Sequence, residues 1–262
     1  MNRPSIPPPA RSEFADALRK GLLIGAALLA VLMPPVITLA PPAKAPRHAS
    51  VRPGSPPPAA PQPLPHADRL ADFAGKTPSP DVRQMAHWIV RSGDHQKMAF
   101  VIVDKKEAKV YAFDPGGRLQ AAVPALLGSA RGDDTVPGIG DKPVAQVLPE
   151  ERTTPAGRFV AEMGTSASRG EDVVWVDYDA AVSMHRVLKK KERLAALRSP
   201  TDADNRMSYG CINLPVGFFE DVLRPAVKGP GAVIYVLPET RALREVFASF
   251  HDVAAPVKVA QY

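Results

Sequence analysis

Hydrophobic and polar positions change rhythm several times along this chain. Residues 21–40 carry no charged side chain and, at 20 residues, are long enough to cross a bilayer as a helix. Residues 41–66 have no apolar period at all. Ser79-Pro80 then reads as an N-cap followed by proline at the first helical position. Val82, Met85, Ala86 and Ile89 recur at helical spacing, and Gly93 supplies a stop. Beyond it the apolar runs shorten to strand length. Residues 100–103 and 110–113 flank a short charged turn, and Asp114-Pro115-Gly116-Gly117 makes the next one. Further short strands are predicted at 123–127, 157–163, 173–176 and 232–237. Many short strands, few helical windows and no strand–helix alternation predict a mostly-β sandwich or closed sheet with peripheral helices.

Composition adds a boundary. Ten of the 30 prolines fall within residues 41–66, which leaves that stretch little to bury. It reads as a semi-rigid spacer, and at ~3.1 Å per residue it would reach up to roughly 80 Å. The chain therefore divides into a basic cytoplasmic segment (1–20), a membrane anchor or signal segment (21–40) and a Pro-rich linker (41–66). A helical lead-in (67–97), a mostly-β domain (98–238) and a C-terminal helix or tail (239–262) follow.

Charge then excludes a class of function. Of the net +6, five charges arise in residues 1–66, from seven basic residues against Glu13 and Asp16. The remainder is nearly balanced and has no long basic stripe, so no nucleic-acid partner is expected. Arg11, Arg19 and Lys20 before the apolar stretch favour a cytoplasmic N-terminus. The expected topology is a single pass through a membrane, with the domain exported. Cleavage after Ala40 or Ala45 is the rival reading, and it exports the domain equally.

The sequence has one cysteine, Cys211, in Ser208-Tyr209-Gly210-Cys211-Ile212-Asn213. A lone thiol in an exported chain forms no internal disulfide. Gly210 beside it permits an unusual backbone and close approach of a substrate. A nucleophilic thiol requires a base or cation. Of six histidines, His48 and His66 lie in the linker, His251 in the tail, and His87 and His95 around the first helix. His185 alone ends an apolar run, 181–184, upstream of the cysteine.

The order His185, then Ser208-x-Gly210-Cys211-Ile212-Asn213, resembles the signature of the L,D-transpeptidase catalytic domain. Thr153-Thr154-Pro155-Ala156-Gly157-Arg158-Phe159 resembles the family's Thr-Pro-x-Gly-x-Phe segment, and the strand pair 100–113 its first hairpin. The resemblance covers about residues 98–238, with the elements in the family's order. It implies that Cys211 attacks a stem-peptide carbonyl to form a thioester, with His185 as general base and then acid. Backbone N–H groups at Tyr209, Gly210 and Cys211 would hold the oxyanion. Ser208 and Asn213 would shape the loop and bind peptide. The implied donor is a tetrapeptide stem of peptidoglycan losing D-alanine, and the acceptor another stem's amine or water. No metal or organic cofactor is called for. Two positions depart from the pattern. Arg186 follows the histidine where a small residue is frequent, so its side chain is expected at the cleft, and Tyr209 stands where histidine is frequent.

The charged stretch 188–207 reads as a solvated surface helix and turn, with a lid over the cleft as the other reading. Gly132-Asp133-Asp134 reads as a hydrophilic loop rather than a calcium site, because the EF-hand spacing is missing. Two alternatives to transpeptidation stand beside it. One is an L,D-carboxypeptidase or amidase with water as acceptor, and the other a wall-binding module with an idle thiol.

Overall fold

The computed structural model describes residues 69–166, 169–199 and 201–253. The anticipated membrane segment and the Pro-rich linker lie outside them. Among the described residues no helix is long and apolar enough to cross a membrane.

Strands are numbered in chain order. β1 (Ala99–Asp104) pairs antiparallel with β2 (Lys109–Phe113), and β2 with β3 (Leu119–Pro124). On its other side β1 runs parallel to β11 (Ala232–Val236), which is flanked by β5 (Gly157–Val160). β1 and β11 are buried along their whole length, which is why both read as unbroken apolar runs. One face of this sheet takes α1 (Pro80–Ser92), whose Val82, Met85 and Ile89 pack on Phe100, Ile102, Phe113 and Tyr235. Ser79 Oγ caps the helix by accepting from the Val82 amide, and Gly93 closes it in the left-handed region, at φ 70°.

The other face packs on a second sheet, in the order β10-β8-β7-β6. These strands are β6 (Glu162–Thr165), β7 (Asp172–Asp177), β8 (Val182–Arg186) and β10 (Ile212–Leu214). Val101, Val103, Ile234 and Val236 from the first sheet meet Val174, Met184, Ile212 and Leu214 from the second in one core. The fold is thus mostly β, with few helices and several sheets.

Two strands differ from expectation. The run 157–163 is split between the sheets, because the chain turns at the small, buried Ala161 and β5 and β6 continue on different layers. The run 123–127 is likewise divided. β3 stops at Pro124, and β4 (Leu127–Gly128) pairs instead with β9 (Arg206–Ser208), just before the cysteine.

Candidate active site

β8 and β10 run parallel, with Met184 opposite Ile212, His185 opposite Asn213 and Arg186 opposite Leu214. Side chains alternate along a strand. Met184, Ile212 and Leu214 therefore enter the core, while Ser183, His185, Cys211 and Asn213 share the opposite face. That face opens on a cavity of about 410 Å³, which all four line together with Ser208 and Tyr209. The register places Cys211 beside Ser183, and Ser183 Oγ is 3.7 Å from the sulfur. The Ala181 carbonyl also lies 3.7 Å from it.

No hydrogen bond joins the Cys211 sulfur to the His185 imidazole. The ladder sets His185 level with Asn213, one side-chain position beyond the cysteine. His185 Nδ1 instead donates to the Arg186 carbonyl at 2.8 Å, if the ring carries its proton there. That tautomer leaves Nε2 with a free lone pair. Burial lowers the His185 pKa from 6.5 to about 4, against the raising effect of that backbone bond, with Arg169 and Arg193 adding to the fall. The imidazole is a neutral base at pH 7.

The turn before the sulfur is held from beneath. Gly210 has φ 124°, and a Cβ there would stand 2.7 Å from the Thr153 carbonyl oxygen, so only glycine fits. Thr154, fully buried, donates from Oγ1 to the Gly210 carbonyl at 2.8 Å and accepts from the Gly128 amide at 2.9 Å. The Thr-Thr-Pro segment is the shelf on which the Gly-Cys turn rests. Ser208 Oγ donates to the Cys211 carbonyl at 2.6 Å and accepts from the Gly210 amide at 3.1 Å. Asn213 Nδ2 donates to the same Cys211 carbonyl at 3.2 Å. Gly210's amide is therefore engaged within the turn, contrary to its expected role as an oxyanion donor. Tyr209, half exposed, carries the Arg152 guanidinium over its ring at 4.1 Å.

Arg186 is not brought into the cavity. Alternation sends its side chain to the other face, over the Phe219 ring and into ion pairs with Glu220 at 2.5 Å and Asp172 at 2.7 Å. It contributes its carbonyl alone. His95 and His87 belong to the helix-covered side, where His95 bonds the carbonyls of Ile89 and Pro115 and His87 accepts from the Ala71 amide.

Sequence reading missed four contributors. Ser183, Trp175, Arg169 and Arg193 all line the cavity. Arg193 lies in α2 (Lys191–Ala196), within the stretch expected to be solvated. Ala196 and Leu197 seat that helix on Leu126 and Val187, and Arg193 Nη1 reaches Asn213 Oδ1 at 2.8 Å. Only the period-2 position of Ser183, two before His185, could have flagged any of them.

In the expected hydrophilic loop 132–134, Asp134 is exposed, but Asp133 is buried in an ionic knot. Lys105, wholly buried, donates to Asp133 at 2.8 Å, to the Gly132 carbonyl at 2.5 Å and to the Thr154 carbonyl at 2.9 Å. Burial lowers the Lys105 pKa, while the Asp133 contacts work to raise it. Asp133 is buried, which opposes ionisation. Bonds from Lys105, Thr240 and the amides of Glu239 and Thr240 overcome this and hold its carboxyl well below the usual range. Among the described residues no cluster suits a metal ion.

No protein-family model and no characterised relative matches the chain by sequence. Solved structures similar to it include a cysteine-to-serine mutant of Enterococcus faecium L,D-transpeptidase, at 17% identity and TM-score 0.32, over 53% of this chain and 50% of that one. The catalytic domain of the E. faecium L,D-transpeptidase aligns at 15% identity and TM-score 0.33, over 54% of this chain and 98% of that one. An L,D-transpeptidase from Stackebrandtia nassauensis aligns at 14% identity and TM-score 0.33, over 62% and 68% respectively. The chain spans about half the length of the first of these.

Proposed function

We propose that this chain is a cysteine acyltransferase of the L,D-transpeptidase type, acting on peptidoglycan stem peptides. The observation that carries the reading is that Cys211, Ser183, His185 and Asn213 share one face of a parallel strand pair and open on one cavity. A thiol, a neutral imidazole and free backbone donors are the parts that amide exchange requires.

In the proposed cycle the Cys211 proton passes to His185 Nε2, after a side-chain rotation that brings sulfur and ring together. The thiolate attacks the donor carbonyl, and the amides of Tyr209 and Cys211 receive the oxyanion. Collapse breaks the C–N bond, and the leaving amine takes the proton from His185. An acceptor amine then attacks the thioester, gives its proton to His185, and restores the free thiol as the new amide forms. Residues 21–40 would tether the domain to the inner membrane and place it in the periplasm, within reach of the wall.

The test is product analysis with the full-length protein in detergent and purified disaccharide-tetrapeptides. Cross-linked dimer with matching D-alanine release is expected from wild type and neither from Cys211→Ala. D-Alanine without dimer would make it a carboxypeptidase. Neither product from wild type would overturn the reading.

A further inference from the structure

The cavity that holds Cys211 is walled by two arginines and, among the described lining residues, by no acid. Arg193 enters from α2. Its Nη1 bonds Asn213 Oδ1 at 2.8 Å and its Nη2 the Met207 carbonyl at 3.3 Å, so the guanidinium is held in a fixed pose. Neither partner is charged, and the positive charge is not neutralised there. Arg169 approaches from the turn between β6 and β7. Among the described residues its acidic partner is Glu171, at 3.8 Å, a loose pair. Both cations lower the His185 pKa and Glu171 works against them, so two positive charges and one negative stand close to the imidazole. Much of the remaining wall is apolar, with Trp175, Leu188 and Val144 in it. In such a low-dielectric recess an unpaired guanidinium attracts an anion far more strongly than at an open surface.

We infer that Arg193 and Arg169 form a carboxylate clamp beside Cys211, which selects acyl donors bearing a free carboxylate next to the scissile bond. Arg is suited to this by its planar fork of donors. The inference rests on the peptide-exchange reading for its substrate, though not for the clamp itself. A stem peptide offers carboxylates from two sources, the chain terminus and an amino-diacid side chain. Amidating one at a time separates them.

Cys211 is the sole cysteine, which gives a readout independent of turnover. The full-length protein in detergent, at low ionic strength and neutral pH, is alkylated with iodoacetate or with iodoacetamide. Each rate is normalised to that of a free thiol. A cationic recess should favour the anionic reagent by roughly tenfold. Arg169→Gln and Arg193→Gln should each lower that preference, and Arg193→Lys, which keeps the charge, should restore most of it. Equal normalised rates in wild type, or an undiminished preference in both glutamine variants, would overturn the clamp. So would a thiol that neither reagent reaches.

Calorimetry on Cys211→Ala with a tetrapeptide, its terminal amide and its side-chain amide then identifies the carboxylate. Weakened binding of one amide by about tenfold or more is expected. Equal binding of all three overturns the donor selection. Anion preference without any peptide binding would leave the clamp standing and count against the peptidoglycan reading alone.

Discussion

The hydroxyl of Thr154 donates to the carbonyl of Gly210 at 2.8 Å, from a side chain with no exposure to solvent. That bond joins two segments 56 residues apart in the chain. Thr154 also accepts from the Gly128 amide, so its oxygen ties together β4, the Thr-Thr-Pro shelf and the Gly-Cys turn. Thr154→Val keeps the shape and removes the oxygen. It leaves a buried amide and a buried carbonyl unpaired, at a cost of about 1–3 kcal/mol each. Urea denaturation should show that loss, and alkylation of Cys211 should become less selective between reagents.

Gly210→Ala tests the same turn from the other side. The backbone there is in a conformation that disfavours a side chain, and an added Cβ would meet the Thr153 oxygen at 2.7 Å. The strain alone is worth about 1–3 kcal/mol. A melting temperature lower by several degrees is expected, together with turnover reduced by at least an order of magnitude. An alanine variant as stable and active as wild type would mean the turn is free to relax.

His185 gives the protein a pH signature. Its pKa is lowered by burial from 6.5 to about 4, so between these values the unfolded chain binds a proton that the folded protein refuses. The stability it contributes is complete above pH 6.5 and is lost as pH falls through the window. The full amount is on the order of 3 kcal/mol. Denaturation at pH 7 and pH 4.5 should reveal the loss in wild type and a smaller one in His185→Gln. The acidic limb of kcat/KM should lie well below pH 6.5.

Part of this site can be read from sequence because Cys211 is the sole cysteine and chemically committed. His185, Ser208 and Asn213 stand out through their order and spacing around it. Ser183, Arg169 and Arg193 do not, because their roles arise from strand register and from a helix folding back onto a distant strand. Arg186 misleads for the same reason. Its neighbour in sequence is the proposed base, yet strand alternation turns it to the far face. Lys105 is concealed most deeply. It reads as part of a solvated turn, since nothing local announces Asp133 as its partner.

That buried pair makes its own prediction. Lys105→Met should leave Asp133 charged and without its main partner, costing about 3–5 kcal/mol. The Thr154 carbonyl would lose its bond as well, so the disturbance should reach the Gly-Cys turn. The double variant Lys105→Met with Asp133→Leu should recover part of the stability. A single variant that unfolds at the wild-type urea concentration would show the knot to be energetically neutral.

The covalent intermediate is the most direct test of acyl transfer by Cys211. Full-length protein is mixed briefly with a disaccharide-tetrapeptide donor, quenched in acid and weighed intact. The account predicts a mass increase equal to the donor less D-alanine, located on the peptide containing Cys211 and missing from Cys211→Ala. Unmodified wild-type protein under conditions where D-alanine is released, or an equal adduct on the alanine variant, would contradict it.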